Sequence, residues 1–228
     1  MAKSTYVLIP GAGSGPWDWH RVRPLLEERG HEVVTPDLPV EDDSAGLEAY
    51  VAEIERAVGD REDVVVVGQS MGGLAATVFA SRRPVRRLVL LAPMIPAPGE
   101  TGGDYWHNTG QPEAARELAE REGRDPDSFD PFEIFLHDVP EEVAHASGDH
   151  ARDQSDRPFA DPVPISAWPQ VETRVIACRH DRLFPLEYMR DVSRERLGIE
   201  PDIIDTGHVP ALADPQALVD LLESYDLP

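Results

Sequence analysis

Four consecutive valines constrain the fold of this chain more than any other feature. Val64–Val67 form an unbroken β-branched run, which is typical of a strand buried on both faces of a parallel sheet. Similar apolar runs recur and alternate with amphipathic helical patterns, which predicts a doubly wound α/β sheet flanked by helices. The other predicted strands span residues 5–9, 32–35, 88–92, 173–178 and 202–205, and the predicted helices span 17–29, 47–58, 71–81, 186–197 and 215–224.

One long segment, residues 96–169, interrupts this alternation. It holds 10 of the 22 prolines, and its 17 acidic and 5 basic residues give it a net charge of −12. Shorter helical patterns occur at 112–122, 131–136 and 140–146. The segment is too long for a connection and too helical for a linker. We therefore predict a core in two parts, 1–95 and 170–228, with an inserted helical cap at 96–169.

Composition excludes several classes of partner. The net charge of −22 argues against nucleic acid and against anionic membrane surfaces, because both require a positive face. Cys178 is the only cysteine, so no intrachain disulfide can form. No apolar run approaches the length of a membrane span, and the short apolar start does not fit a signal peptide. We expect a cytoplasmic protein; whether it is a monomer or a homodimer stays open.

The valine run leads directly into a candidate nucleophile. Gly68, Ser70 and Gly72 form a Gly-x-Ser-x-Gly pattern between the predicted strand and the next predicted helix. A serine on such a sharp strand-to-helix turn presents its hydroxyl to a cleft, and the glycines let strand and helix approach closely. The alternative is a glycine-rich turn whose serine only caps the helix.

A serine nucleophile needs a base and an acid that orients the base. On this type of sheet the three follow in the order serine, acid, histidine. Asp181 follows the predicted strand at 173–178, and His208 follows the last predicted strand, so both fit that order. Asp205 and Asp202 are competing candidates for the acid.

Stabilising an oxyanion requires two backbone N–H donors. One is expected from Met71, directly after the serine, and the other from the loop after the first strand, at Ala12 with Gly11 as its neighbour. The glycines of that loop do not have the spacing of a dinucleotide-binding motif.

Apolar side chains near and within the predicted cap are candidates for a substrate pocket. The alternative is that they form the small core of the cap itself, and for each residue we weigh the two equally. The four cap histidines lack a metal-ligand spacing, so no metal site is predicted. The candidate pocket residues are Met94, Trp106, Phe129, Phe132, Phe135 and Trp168.

Several of these segments together resemble the α/β-hydrolase superfamily. The similarity is greatest to the branch that contains plant methylesterases, plant hydroxynitrile lyases and many bacterial hydrolases. It rests on residues 6–39, on Gly-Gln-Ser-Met-Gly-Gly at 68–73, and on residues 178–185 and 207–218, and is weak over the cap. The resemblance implies a compact six-stranded sheet, acyl transfer by Ser70, His208 and Asp181, and no metal or organic cofactor.

Three positions depart from the pattern of that branch. Pro10 stands where the branch usually has histidine, although the N–H groups of Gly11 and Ala12 are kept. The lyases of the branch have threonine in place of Gly11 and lysine in place of Asp214. A cyanide leaving group needs a nearby cation, so the acidic Asp214 favours a hydrolase over a lyase.

The predicted function is therefore a serine hydrolase, most simply a carboxylesterase for small or medium, neutral, largely apolar esters. The same residues also fit amide, thioester or carbon–carbon bond hydrolysis. A hypothesis of another class is a small-molecule receptor that keeps the three residues without turnover, which the unusual Pro10 slightly favours. The acidic cap predicts that anionic substrates are disfavoured.

Overall fold

The computed structural model describes residues 3–226, which form one six-stranded parallel sheet with helices on both faces. The strand order is β2-β1-β3-β4-β5-β6, and every neighbouring pair is parallel. This confirms the predicted fold class. The strands are β1 Thr5–Ile9, β2 Glu32–Val34, β3 Val64–Gln69, β4 Arg87–Leu91, β5 Thr173–Cys178 and β6 Asp202–Ile204.

The helices also follow the predicted alternation outside the cap segment. One pattern, predicted as a single helix over 17–29, is divided in the structure. It forms a 3-10 turn at Pro16–Trp19 and then α1, and at the break the backbone N–H of His20 donates to the carbonyl of Trp17 at 2.9 Å. The helices are α1 Val22–Glu28, α2 Leu47–Val58, α3 Gly72–Arg82, α4 Gly102–Thr109, α5 Gln111–Glu122, α6 Pro131–Phe135, α7 Glu141–Gly148, α8 Arg157–Ala160, α9 Leu186–Leu197, α10 Pro210–Ala213 and α11 Pro215–Ser224.

Strand β3 lies near the centre of the sheet and is buried along its whole length. Alternate side chains of the strands pack into two separate cores. Helices α2, α3 and α9 cover one face, whereas α1 and α11 cover the other. Burial on both faces explains why the strand sequences are apolar without alternation.

Residues 96–169 carry α4 to α8 between β4 and β5. A network of polar groups ties this segment to the core. Arg196 on α9 forms a salt bridge with Glu100 and donates to the carbonyl of Ile95 at 2.6 Å. The hydroxyl of Tyr188, also on α9, bonds Tyr105 on α4 at 3.0 Å. Within residues 3–226, none of the helices is long and apolar enough to cross a membrane.

Candidate active site

Ser70 lies on a sharp turn between β3 and α3, as predicted. Its φ of +52° is in the left-handed region, which is uncommon for any residue other than glycine. Hydrogen bonds of 3.0 Å hold it on both sides: its N–H donates to Leu91 on β4, and its carbonyl accepts from Met94. The neighbouring strand therefore fixes a strained conformation that a free turn would relax.

Two glycines make this turn sterically feasible. A Cβ atom on Gly68 would lie 2.6 Å from Cβ of Ala76 on α3, and one on Gly72 would overlap the carbonyl of Pro10. No side chain fits at either position without movement of the strand or the helix. The glycines thus allow the close approach that the sequence pattern predicted.

Ser70, His208 and Asp181 form a continuous hydrogen-bonded chain. Nε2 of His208 lies 3.0 Å from Oγ of Ser70, and Nδ1 lies 2.7 Å from Oδ2 of Asp181. The other oxygen of Asp181 accepts from the backbone N–H groups of Leu183 and Phe184, each at 2.9 Å. The Asp181 carboxylate is 1% exposed, so its two oxygens are held by protein groups in a fixed orientation.

The two competing acids lie elsewhere. Asp205 is exposed and pairs with Arg179 at 2.8 Å and with His180 at 3.1 Å. Asp202 accepts from the hydroxyl of Tyr225 at 2.8 Å. Of the three candidate acids, the structure brings Asp181 to the His208 ring.

The loop that carries His208 is held from two sides. Nε2 of Gln69 donates to the His208 carbonyl at 3.1 Å. From the cap segment, Oδ2 of Asp138 accepts from the backbone N–H of Gly207, the residue before His208. A Cβ on Gly207 would lie 2.6 Å from Oδ1 of Asp138, so the missing side chain admits this carboxylate. Sequence reasoning did not identify Asp138.

The predicted oxyanion residues lie next to Ser70. Gly11, Ala12 and Met71 line the same cavity as Ser70, and a Cβ on Gly11 would lie 3.1 Å from Cβ of the serine. Within residues 3–226, no backbone or side-chain acceptor takes a hydrogen bond from the N–H of Ala12 or Met71. These two groups are therefore free to donate to a bound oxygen.

A cavity of about 370 Å³ opens at Ser70 and His208. Four of the candidate pocket residues line it: Met94, Trp106, Phe129 and Phe135. The ring of Phe135 also lies 5.3 Å from the His208 ring, so this cap side chain reaches the hydrogen-bonded chain itself. Lining residues that sequence reasoning did not propose include Asp18, Gln69, Leu136, His150, Phe159, Leu183, Val209 and Leu212.

Two pocket predictions are wrong. Phe132 is 48% exposed near the start of α6, where its ring faces His145 at 6.1 Å rather than the cavity. Trp168 packs against the core before β5, and its Nε1 donates to Thr173 at 3.3 Å. Thr173 begins β5, at the opposite end of the sheet from the serine turn. The orientation of α6 decides where Phe132 lies, and the direction of β5 decides where Trp168 lies. The apolar character of a side chain predicts neither position.

Burial shifts the pKa of two groups near the site. The Cys178 thiol, fully buried at the end of β5, has a pKa well above its usual range because of desolvation and the nearby Asp181 charge. Desolvation also raises the pKa of Asp18 in the cavity wall. Among the described residues, no cluster of three histidine, cysteine or acidic side chains could hold a metal ion.

Comparison with known proteins agrees with the α/β architecture of the structure. A family model described as alpha/beta hydrolase family matches residues 6–221. Norfluorocurarine synthase 1 from Strychnos sp is 32% identical over 103 residues, which cover 40% of this chain and 39% of that protein. Methylesterase 9 of Arabidopsis thaliana is 34% identical over 89 residues, or 35% of each chain. The chain thus aligns with less than half the length of these curated relatives.

Two bacterial proteins match over nearly the whole chain. The pyrethroid hydrolase of Sphingobium wenxiniae is 25% identical over an alignment that covers 99% of this chain and 88% of that protein. The crystal structure of a pyrethroid hydrolase from Sphingobium faniae JZ-2 superposes with a TM-score of 0.80 at 23% identity, covering 100% of this chain and 99% of that one. At this identity, the structural likeness concerns the fold.

Proposed function

The chain belongs to the alpha/beta hydrolase family, and we propose that it is a serine carboxylesterase for small or medium, largely apolar esters. One observation carries the proposal: the hydrogen-bonded chain from Ser70 through His208 to Asp181 ends at an apolar cavity. A hydroxyl activated in this way beside free N–H donors is the arrangement that acyl transfer requires. Relatives named as esterases and hydrolases support the same reaction class.

In the proposed mechanism, Ser70 attacks the ester carbonyl carbon while His208 takes its proton. Asp181 holds the imidazole in the tautomer that accepts at Nε2 and stabilises the imidazolium that forms. His208 then donates the proton to the leaving alcohol, so the acyl group remains on Ser70. Water deprotonated by His208 attacks this acyl-enzyme and releases the acid, which restores Ser70.

The tetrahedral intermediate carries its negative charge on the former carbonyl oxygen. The free N–H groups of Met71 and Ala12, with Gly11 as neighbour, are the donors that we assign to this oxygen. Met71 also precedes the N-terminus of α3, where the helix dipole favours negative charge. Neither donor has to give up another hydrogen-bond partner when the charge develops. Free donors of this kind lower the barrier by stabilising the developing charge.

The cavity defines the expected substrates. Its volume of about 370 Å³ suits a small or medium ester, and aromatic and aliphatic side chains from the core and cap segments form most of its wall. Within the described residues, no lysine or arginine lines it. The cap segment as a whole carries a net charge of −12. We therefore expect neutral esters to be preferred over esters that carry a carboxylate.

Asp214, the position at which the similar lyases have lysine, favours hydrolysis over cyanide elimination. Its carboxylate caps helix α11 by accepting from the N–H of Ala217 at 2.9 Å, and it is exposed. It therefore provides no cation for a cyanide leaving group.

The proposal is tested with p-nitrophenyl esters of increasing acyl length and with matched p-nitroanilides. We expect ester turnover with a maximum at short or medium chains, and anilide turnover lower by orders of magnitude. Faster anilide than ester cleavage would indicate an amidase. Tight binding of esters without any release of nitrophenol would instead indicate a receptor.

Asp138 provides a prediction about the loop that holds the proposed base. Asp138→Ala leaves the N–H of Gly207 without its acceptor, so His208 loses part of its support from the cap. Because small displacements of a catalytic group reduce rates strongly, we expect kcat/KM to fall on the order of tenfold. Asp138→Asn keeps an acceptor and should restore most of this loss. Asp153→Ala, which removes an exposed cap carboxylate, is the control; an equal loss in that variant would contradict the assignment.

A further inference from the structure

The wall of the cavity beside Ser70 contains a carboxylate that the proposed mechanism does not use. Asp18 lies in the 3-10 turn after the Gly11–Ala12 loop and lines the cavity. Its Oδ2 accepts from the N–H of Gly15 at 3.0 Å. In the described part of the chain no other residue donates a hydrogen bond to its Oδ1, although the backbone N–H of Asp18 itself acts on the carboxylate. One oxygen thus has a structural role, whereas the other remains available.

A second free acceptor lies on the same wall. Nε2 of Gln69 donates to His208, but Oε1 accepts from no group within residues 3–226. A Cβ on Gly11 would lie 2.5 Å from this oxygen, so a glycine at position 11 is needed to leave room for it. Asp18 and Gln69 also both line a small recess of about 10 Å³, so the two residues share a second lining besides that of the main cavity.

Within the described residues no lysine or arginine lines this cavity, and the basic groups that act on Asp18 are the imidazoles of His150, which lines the same cavity, and His20. Arg152, which passes Gly15, points instead to Asp37 and Glu41 at the surface. Both imidazoles stack on the ring of Trp17. When these imidazoles are neutral, the wall presents hydrogen-bond acceptors with a net negative charge in otherwise apolar surroundings.

We propose that Asp18 and Oε1 of Gln69 form a subsite that selects esters bearing a protonated amine. An ammonium group supplies N–H donors for these two acceptor oxygens and a positive charge opposite the carboxylate of Asp18. Hydrogen bonds between ions in a cavity of low polarity are strong. A hydroxyl group satisfies the same oxygens without the charge. A carboxylate is repelled by Asp18. This inference rests on the proposed esterase function and names the substrate class for the same site.

The charge on Asp18 also opposes folding, which is expected of a group kept for binding. Desolvation raises the pKa of Asp18 in the folded state above its value in the unfolded chain. Protonation therefore stabilises the folded state at pH values below the unfolded pKa, and this stabilisation is lost as the pH rises through the folded pKa. At pH 7 the charged form therefore makes the folded state less stable. Asp18→Asn keeps an acceptor for Gly15 without the charge, and should not lower the Tm.

The experiment compares esters that differ only in the charged group. One pair is 2-(dimethylamino)ethyl butanoate and 3-methylbutyl butanoate; the other is ethyl 4-(dimethylamino)butanoate and ethyl 5-methylhexanoate. In each pair a protonated nitrogen replaces a CH group of equal size, on the alcohol side or on the acyl side. The ratio of kcat/KM for the amine over the hydrocarbon is measured at low salt for the wild type and for Asp18→Asn.

We expect the wild type to prefer the amine in at least one pair, and Asp18→Asn to reduce that ratio about tenfold, which corresponds to one charge-assisted hydrogen bond. Asp149→Asn removes an exposed carboxylate next to His150 and should leave the ratio unchanged, which separates local recognition from the general negative field. Equal ratios in wild type and Asp18→Asn for both pairs would overturn the subsite. If the wild type hydrolyses none of the four esters, the esterase proposal itself is wrong.

Discussion

Ser70→Ala is expected to abolish ester turnover, with kcat lower by a factor on the order of 10⁵ to 10⁶. The substitution removes the atom that forms the acyl-enzyme and leaves the cavity and the free N–H groups in place. The remaining rate should come from binding and from oxyanion stabilisation without a covalent step. The protein should still fold, because Ser70 is held by backbone hydrogen bonds that alanine retains.

Ser147→Ala is the matched control for this variant. Ser147 lines the same cavity, but its hydroxyl donates to the carbonyl of Ala144 at 2.7 Å and lies on the cap segment. We expect its turnover to stay within about twofold of the wild type. If Ser70→Ala keeps more than about a tenth of the wild-type kcat on p-nitrophenyl butanoate, Ser70 is not the nucleophile.

The second large effect is expected for Asp181→Asn, with kcat reduced about 10⁴-fold. The amide can donate to Nδ1 of His208, which favours the tautomer with hydrogen on Nε2 and prevents the ring from accepting the serine proton. The two backbone N–H groups that bond Oδ1 of Asp181 would hold the amide oxygen, so its NH₂ group would face the ring. The loss should therefore appear in kcat more than in KM.

Asp205→Asn tests this assignment because Asp205 was the main competing acid. Its carboxylate is exposed and pairs with Arg179 and His180 at the surface. We expect its kcat to stay within about twofold of the wild type at neutral pH. A larger loss in Asp205→Asn than in Asp181→Asn would reverse the two roles.

The sheet and the hydrogen-bonded chain were predictable because their signals are local. The run Val64–Val67 is apolar on both faces because the strand is buried on both faces, and glycines follow where the turn requires close approach. The order of Ser70, Asp181 and His208 along the chain then follows from where successive strands end. None of these inferences needed knowledge of how distant side chains pack.

The cap segment was harder to predict because tertiary packing decides which face of each short helix meets the cavity. Phe132 and Phe135 lie three positions apart on α6, yet of the two only Phe135 lines the cavity. Helix α4 had no clear apolar periodicity, although Thr101 and Asp104 form a reciprocal cap at its start that a search for such pairs would find. Asp18 lies between two tryptophans, and nothing in that sequence context marks it as a cavity residue.

The central claim is that Ser70 is an activated nucleophile, and covalent labelling tests it most directly. The wild-type protein, the Ser70→Ala variant and the Ser147→Ala control are incubated with a fluorophosphonate probe, and intact mass and peptide mapping locate the adduct. We predict one adduct per chain on Ser70 in the wild type and in Ser147→Ala, loss of ester turnover in step with labelling, and no adduct in Ser70→Ala. An unlabelled wild-type protein that still hydrolyses esters, or equal labelling of Ser70→Ala, would contradict it.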